Sequence, residues 1–150
     1  MQRNDDFQPR DPEFGERVRA SFNRQPFMHH IGARITDVSP GRCTIHLPYR
    51  AELTQQHGYM HAGIMGTMAD NAGGYAALSL MPPGKEVLTV EYKINLLQPG
   101  QGEAIVSRGR VLKAGRTLTI CRSDVFNIVQ GEEILCATAQ FTMMAVAERR

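Results

Sequence analysis

The sequence predicts an α+β domain in which a curved antiparallel β-sheet wraps around one long central helix, preceded by a short N-terminal helix. Three observations support this architecture. The segment from Ile64 to Met81 is rich in alanine, glycine and methionine, and its apolar residues recur every three or four positions. Six other segments alternate apolar and polar residues, as half-buried strands do. Short turns containing glycine join most of these segments, which favours antiparallel pairing.

The length and composition are typical of one globular domain. At 150 residues and 42% apolar composition, the chain is long enough to bury a single core. We assign residues 1–10, which are polar and aperiodic, to a flexible lead without the apolar core of a signal peptide, and residues 11–150 to a single domain. Asp70, Asn71 and several glycines interrupt the longest apolar segment, so we predict no membrane insertion.

Charge and cysteine content argue against several classes of function. The net charge is only +2 and the basic residues are scattered, so we predict no nucleic-acid partner. The cysteines are odd in number and form no CxxC pair, which predicts neither a disulfide framework nor a zinc site and favours a reducing, cytoplasmic location. His57 and His61 are four residues apart, but no Glu follows His57, so we predict no metal site there.

The N-terminal part of the chain predicts one helix and one hairpin. Asp11 is placed to cap a helix whose first position is Pro12, and apolar residues then repeat at four-residue steps until Pro26 ends the helix. Two alternating segments, 33–38 and 42–48, flank a Ser-Pro-Gly turn and predict a hairpin.

Four further strands are predicted after the central helix. They cover residues 88–96, 103–113, 117–130 and 134–146, with turns that contain glycine between them. The alternation in the first of these strands predicts that its apolar residues pack against the central helix, namely Leu88, Val90, Tyr92, Ile94 and Leu96.

The central helix carries one unusual charge. Asp70 lies in a segment without Lys or Arg, and an unpaired buried carboxylate is costly and tends to have a raised pKa. Asp70 is therefore the first candidate for a functional group, although the helix alone leaves open that it only accepts a hydrogen bond from a neighbouring group. Gly66, Gly73 and Gly74 imply a close neighbour, either a sheet or a second copy of the helix. We expect Gly73 and Gly74 to suit a crossing of two such helices.

The region before Asp70 resembles a known family signature. The segment Gln55-Gln56-His57-Gly58-Tyr59-Met60-His61-Ala62-Gly63, followed by Met68-Ala69-Asp70, is similar to the pattern N/Q-x-x-G-x-x-H-G-G-x-x-x-x-x-x-D/E of the PaaI-like (phenylacetyl-CoA type) acyl-CoA thioesterases. The similarity extends over residues 26–146 and includes the strand at 90–99 and the Gly-Arg turn at 113–117. It implies the hotdog fold and the hydrolysis of an acyl-CoA thioester.

The resemblance also implies roles for individual residues. Asp70 is the nucleophile or the general base, and His61 positions the loop and the carbonyl rather than acting as the base. Gln55 stands where the family has Asn or Gln, and its amide orients the carbonyl or the water. Ala62 replaces the first glycine of the family's HGG, so the backbone N–H is retained and a methyl group is added.

The physics of helix ends favours a site shared between two chains. Unpaired N–H groups and the positive dipole end, at His61 and Ala62, stabilise a developing oxyanion. Eight residues separate Ala62 from Asp70, which is about 12 Å of helical rise and too far for both to act on one carbonyl. We therefore predict a homodimer in which Ala62 of one chain and Asp70 of the other form each site. We further expect these dimers to pair as a homotetramer, although the sequence does not distinguish a dimer from a tetramer.

Substrate-binding candidates complete the predicted site. We assign Gly63 and Asn71 to this group together with Gly58, which permits a backbone conformation closed to other residues. For the nucleotide phosphates of CoA the resemblance implies Arg116 of the Gly-Arg turn. Weaker candidates, for which a solvated charge on a strand is an equally good interpretation, are Lys93, Arg110 and Lys113.

Two other functions remain open at this point. A hotdog module that binds or senses acyl-CoA without turnover would use Asp70 as a structural acceptor, whereas a hotdog hydratase or dehydratase would pair His61 with an acidic residue. No Gly-rich phosphate loop or nucleotide-binding fingerprint is present, so we predict no cofactor. Acyl chain length, aromatic or aliphatic preference, and CoA or acyl-carrier-protein thioesters are not distinguished by the sequence.

Overall fold

One antiparallel sheet and one long helix make up most of the computed structural model, which describes residues 7–148. The elements in chain order are α1 (Phe14–Asn23), α2 (Pro26–Ile31), β1 (Arg34–Ser39), β2 (Arg42–Pro48), a 3₁₀ turn (Ala51–Leu53), α3 (Ala62–Leu78), β3 (Lys85–Leu96), β4 (Ala104–Ala114), β5 (Leu118–Val129) and β6 (Glu132–Ala147). The strand order β1-β2-β4-β5-β6-β3 leaves β1 and β3 at the edges. Because α3 packs against β2 to β6, the predicted α+β architecture with a sheet around one central helix is confirmed.

One element was missed by the sequence pattern. Pro26 does not simply end the first helix; it occupies the first turn of α2, where its missing N–H costs nothing. Gly32, with a φ of +84°, ends α2 after six residues. A helix this short shows no apolar repeat, although Met28 and Ile31 are buried by it.

The N-terminal helix holds the far end of α3. Helix α1 begins at Phe14, later than predicted, and the Asp11 carboxylate instead accepts a hydrogen bond from the Glu13 N–H at 3.0 Å. The other Asp11 oxygen lies 3.2 Å from Nε of Arg17. The Arg17 guanidinium donates to three carbonyls at the C-terminal end of α3 and just beyond it, those of Leu78, Met81 and Pro82. Helix α1 therefore caps α3 with a positive charge, where the helix dipole is negative.

Part of the predicted flexible lead lies outside the described residues, namely 1–6. Phe7 packs against the core beside the β1–β2 turn. A Cβ atom at Gly41 of that turn would lie only 2.7 Å from the Phe7 ring, so the ring sits directly on the turn.

Close contact between α3 and the sheet depends on glycine. A Cβ atom at Gly109 of β4 would lie 2.1 Å from the carbonyl oxygen of Ala72, so only glycine fits under the helix there. On the helix side, a Cβ at Gly73 would lie 3.1 Å from the Ser123 hydroxyl of β5. Gly73 and Gly74 are both buried inside the protomer. The expectation that they suit a crossing of two helices is therefore wrong, because they face the sheet of their own chain.

Strand β3 contains a β-bulge that changes which side chains face α3. The pairing with β6 shifts register between Thr89 and Glu91, so Val90 is the extra residue. Before the bulge, Thr89 faces the helix and Leu88 points away with 56% of its surface exposed. After the bulge, Tyr92 faces the helix and stacks on Phe141. The predicted uniform alternation from Leu88 to Leu96 is wrong for this reason, since one extra residue exchanges the two faces.

Candidate active site

Asp70 carries an unpaired carboxylate on the partly exposed side of α3. Its Oδ1 accepts a hydrogen bond of 2.6 Å from the Thr89 hydroxyl of β3. Within residues 7–148, Asp70 takes part in no salt bridge. Burial raises the pKa of Asp70, and the hydrogen bond from Thr89 partly opposes that rise. A desolvated carboxylate without a counter-ion is a stronger base and nucleophile than one in water.

The space in front of this carboxylate is a cleft of about 510 Å³ between α3 and β3, called the Asp70 cleft below. The helix side offers little obstruction, because Gly63 and Gly66 line it without side chains. On the strand side the bulge brings Thr89, Val90 and Tyr92 to its wall. The bulge thus shapes the cleft and directs the Thr89 hydroxyl at Asp70.

The N-terminus of α3 presents a free donor at the predicted position. His61 is the N-cap, and its Nδ1 accepts a hydrogen bond of 2.9 Å from the Gly63 N–H. The Ala62 N–H, by contrast, donates to no atom of the described chain. Because Nδ1 of His61 accepts the hydrogen bond from the Gly63 N–H, Nε2 is the ring nitrogen that carries an N–H. The helix end therefore offers the Ala62 N–H and one imidazole N–H to a ligand.

Gln55 closes a tight turn before the helix. Its side-chain Oε1 accepts from the His57 N–H and its backbone carbonyl from the Gly58 N–H at 3.0 Å. Gly58 has a φ of +80°, a left-handed backbone conformation of the kind predicted for this glycine. Gln55 and Ala62 line a second cleft of about 330 Å³ together with the loop from Leu97 to Gly100, called the Gln55 cleft below.

The structure thus separates the two halves of the predicted catalytic group within one protomer. Gln55 and Ala62 lie together in the Gln55 cleft, and Asp70 lies in its own cleft further along α3. Ala62 and Asp70 are eight residues apart in α3, which corresponds to a rise of about 12 Å along a regular helix.

The predicted substrate-binding residues occupy different places. Gly63 lines the Asp70 cleft, whereas Asn71 is engaged inside the protomer. The Asn71 side chain accepts from Nε2 of Gln25 at 2.9 Å and donates to the Thr67 carbonyl at 3.2 Å. Its amide therefore fastens the connection between α1 and α2 to the central helix.

The predicted phosphate contacts lie away from both clefts of the same protomer. Gly109 faces α3, so its neighbour Arg110 points to the outer face of the sheet. The Lys93 ammonium donates to Oδ1 of Asn95 on that outer face. Lys113 is near the end of β4, and Arg116 borders a cavity of about 220 Å³ at the C-terminal end of α3.

Sequence reasoning missed Thr89. The alternation of β3 placed Thr89 among the residues that point away from α3, and only the bulge turns it towards Asp70. A bulge leaves no composition signal here, because Val90 is an ordinary strand residue.

Two further findings concern the described chain as a whole. Within residues 7–148, no three His, Cys, Asp or Glu side chains come together in a way that could hold a metal ion. In the same range, no helix has both the length and the apolar character needed to cross a membrane.

Comparison with known families gives a match to the central part of the chain. Residues 57–134, about half of the chain, match the family described as the Thioesterase superfamily. The match includes the turn at Gly58, the N-terminus of α3 and Asp70.

Two curated relatives illustrate the similarity in sequence. A putative esterase of Saccharolobus solfataricus is 32% identical over 90 residues, which cover 60% of this chain and 64% of that protein. The chain therefore spans less than two thirds of the length of this relative. Acyl-coenzyme A thioesterase 13 of Homo sapiens is 31% identical over 122 residues, which cover 79% of this chain and 86% of that protein.

Solved structures show the same architecture. A thioesterase family protein from Silicibacter pomeroyi has a TM-score of 0.88 and 47% identity, with 90% of this chain and 99% of that chain covered. The PaaI protein of E. coli has a TM-score of 0.81 and 18% identity, with 90% and 94% covered, and at this identity the likeness concerns the fold alone. The predicted hotdog fold and the resemblance to PaaI-like proteins are confirmed. With half of its length matched to the family model and nearly all of its fold shared with a thioesterase family protein, this chain belongs to the thioesterase superfamily.

Proposed function

We propose that this chain hydrolyses an acyl-CoA thioester to the free acid and CoA, in sites that two protomers share. The observation that carries the proposal is the Asp70 carboxylate, which lies in an open cleft, has no ionic partner among residues 7–148 and accepts only the Thr89 hydroxyl. The relative named acyl-coenzyme A thioesterase 13 supports the choice of an acyl-CoA substrate.

Asp70 starts the reaction in either of two ways. As a general base, its carboxylate takes a proton from water while the resulting hydroxide attacks the thioester carbonyl. As a nucleophile, it attacks the carbonyl itself and forms a mixed anhydride, which water then hydrolyses. In both routes the C–S bond breaks and the CoA thiolate leaves and takes up a proton. Thr89 donates to the carboxylate and fixes its orientation, so it is a positioning residue.

The N-terminus of α3 stabilises the charge that develops on the carbonyl oxygen. The Ala62 N–H is unbonded within the described chain and lies at the positive end of a 17-residue helix. Such a donor is worth about 10²- to 10³-fold in kcat. His61 adds its Nε2 proton as a second donor. Gln55 lines the Gln55 cleft together with Ala62 and orients the carbonyl or the water.

A second copy of the chain supplies the other half of each site. Ala62 and Asp70 of one chain are too far apart, whereas two antiparallel copies of α3 related by a twofold axis bring them together twice. Strand β3 supports this arrangement, because it is an edge strand in which nine of twelve residues are exposed. Its exposed apolar residues include Leu88, Val90 and Tyr92. An exposed apolar edge strand is a template for pairing with another chain.

Turnover assays with matched variants test the proposal. The parent protein is expected to release free thiol from a panel of aryl, medium-chain and long-chain acyl-CoAs. Asp70→Asn is expected to lower kcat by about 10²- to 10⁴-fold, the range of a lost general base. Ala62→Pro removes the N–H at a position where a helix tolerates proline, and His61 already has the extended ψ of 137° that a following proline needs. We expect about a 10²-fold loss for Ala62→Pro and little change for Ala62→Ser, which keeps the N–H.

Three results would contradict the proposal. Equal thiol release by the parent and Asp70→Asn would remove Asp70 from the mechanism. Tight acyl-CoA binding by the parent without any thiol release would identify a binding or sensing module. Addition of water across an enoyl-CoA without thiol release would identify a hydratase.

A further inference from the structure

A third cleft lies on the opposite side of the α3 N-terminus from the Gln55 cleft. It has a volume of about 380 Å³, within the range of small-molecule pockets, and is called the Phe27 cleft here. His61, Gly63, Ile64 and Thr67 of the helix form its floor. The helix end therefore lies between two clefts, with Ala62 lining one and its neighbours His61 and Gly63 lining the other.

A thioester held at this helix end has two arms that need two grooves. One arm is the pantetheine of CoA, which carries amide groups, and the other is the acyl group. The Gln55 cleft suits the pantetheine, which alternates amides with methylene groups, because the side-chain amides of Gln55 and Gln98 line it beside apolar residues such as Met65 and Leu97. A groove for pantetheine must provide such hydrogen-bonding partners, since buried amides that lack them are costly.

The Phe27 cleft suits the acyl arm. Phe27, Leu53 and Ile64 supply apolar walls, and among residues 7–148 no Lys or Arg lines the cleft. Its acidic lining residue, Glu52, lies 3.8 Å from Nε of Arg50. The two clefts therefore differ in that side-chain amides line the Gln55 cleft and not the Phe27 cleft.

Phe27 is exposed to an unusual degree for its position. It follows Pro26 at the start of α2, where its neighbours Met28 and Ile31 are buried, yet 51% of its own surface is exposed. The ring lines the Phe27 cleft instead of packing in the core. Together with Leu53 and Ile64, the ring forms an apolar lining that a ligand with an apolar group would cover.

Thr67 is the last residue of α3 that lines the Phe27 cleft. Beyond Thr67 the next turn of α3 is covered by the connection between α1 and α2. There, Nε2 of Gln25 donates to Asn71 at 2.9 Å and to the Tyr75 hydroxyl at 2.7 Å. A chain that enters at His61 therefore meets Phe27 at the side and this hydrogen-bonded group at the end.

We propose that Phe27 is the specificity-determining residue for the acyl group, because its ring forms one wall of the acyl groove at the α3 N-terminus. The proposal rests on the proposed function and deepens it. The substrate class is an aliphatic or aryl acyl group short enough to end before Gln25.

Binding of non-hydrolysable S-alkyl-CoA thioethers tests this without depending on turnover. Calorimetric Kd values would be measured for thioethers of increasing chain length with the parent protein, Phe27→Ala, Phe27→Trp and Leu97→Ala. Leu97 is the matched control, since it is also 51% exposed but lines the Gln55 cleft. For the parent we expect affinity to rise about fourfold per methylene buried and then to level off when the groove is full.

The variants should differ both in overall affinity and in how affinity depends on chain length. Phe27→Ala is expected to lose about tenfold in affinity for chains that reach the ring, because their methylenes lose a packing partner. For Phe27→Trp, affinity is expected to level off at a shorter chain. For Leu97→Ala, affinity is expected to fall by the same factor at every chain length.

Two results would overturn the assignment. One is an unchanged chain-length profile in both Phe27 variants, and the other is a changed profile in Leu97→Ala alone. Failure of the proposed function is distinguishable from both. It would appear as a lack of thiol release from acyl-CoAs by the parent, whatever the thioether profile shows.

Discussion

At the scale of single residues, burial and one hydrogen bond act in opposite directions on the pKa of Asp70. The Thr89 hydroxyl donates to the ionised carboxylate at 2.6 Å, while burial favours the protonated form. The pKa of Asp70 is raised because burial is the larger effect and the hydrogen bond the smaller one. In the proposed mechanism the base or nucleophile must be ionised, so we expect activity to fall as the pH falls through this raised pKa.

Thr89→Val should therefore move the acidic limb of the kcat/KM profile to higher pH. Valine keeps the shape of threonine but removes the donor that lowers the pKa of Asp70. On the acidic side of the profile kcat/KM should fall by about tenfold, as expected for a lost hydrogen bond to a charged group. Thr89→Ser, which keeps the hydroxyl, should keep the parental limb. A valine variant whose limb coincides with that of the parent would show that Thr89 does not act on Asp70.

Asp70, Ala62 and Thr89 show which parts of the candidate site can be predicted from sequence. Asp70 could be found because a carboxylate without a counter-charge in an apolar helix is conspicuous from composition alone. Ala62 could be placed because it matches a glycine of the family motif just before the apolar helical pattern, and α3 does begin at Ala62. Thr89 could not be found, since its direction depends on a register shift between β3 and β6 that local periodicity does not contain.

At the scale of elements, the fit of α3 into the sheet is decided by glycine on both sides. Gly73 faces the Ser123 hydroxyl, which donates to the Ala69 carbonyl at 2.7 Å. Gly109 lies under Ala72, where any side chain would overlap backbone atoms. The sequence indicated the helical glycines by their cost in a helix, but Gly109 looked like an ordinary strand residue. Its role appears only when β4 is placed beneath α3.

Gly109→Ala should be among the most destabilising single methyl additions in this chain. A Cβ there would lie 2.1 Å from the Ala72 oxygen, and neither backbone can move without disturbing the core. We expect a loss of about 3 kcal/mol or more and a Tm lower by about 6–12 °C, measured by thermal unfolding followed by circular dichroism.

The control for this change is Gly15→Ala in α1. Nothing lies within 4 Å of a Cβ atom at Gly15, and alanine favours helix more than glycine does. Its Tm should equal or exceed that of the parent. Similar Tm values for the two variants would mean that α3 does not sit as closely on β4 as the structure describes.

Elements long enough to contain several periods of their polarity pattern were predictable from the sequence, whereas a shorter element was not. The six strands and α3 appear within a few residues of their predicted bounds, because each contains several periods of its pattern. Helix α2 has only six residues and begins at a proline that usually signals the end of a helix. That helix carries Phe27, so the wall of the proposed acyl groove was missed together with it.

At the scale of the whole molecule, the single chain is an incomplete enzyme in the proposed mechanism. The sheet ends in an exposed apolar strand, β3, and the Asp70 cleft opens beside that same strand. A twofold axis near β3 would extend the sheet and bring each Asp70 to the helix end of the other chain. Assembly and chemistry then depend on the same edge.

Subunit mixing tests this shared site directly. Asp70→Asn and Ala62→Pro are each expected to be nearly inactive as homodimers. If the two variants are unfolded and refolded together, about half of the dimers contain one chain of each kind. In such a dimer one site has both defects, and the other combines an intact Asp70 with an intact Ala62 N–H. The mixture should therefore recover about a quarter of the parental activity per chain. Recovery is possible only if the two groups act from different chains. A refolded mixture that forms dimers by light scattering but remains inactive would place both groups in one protomer and would refute the shared site.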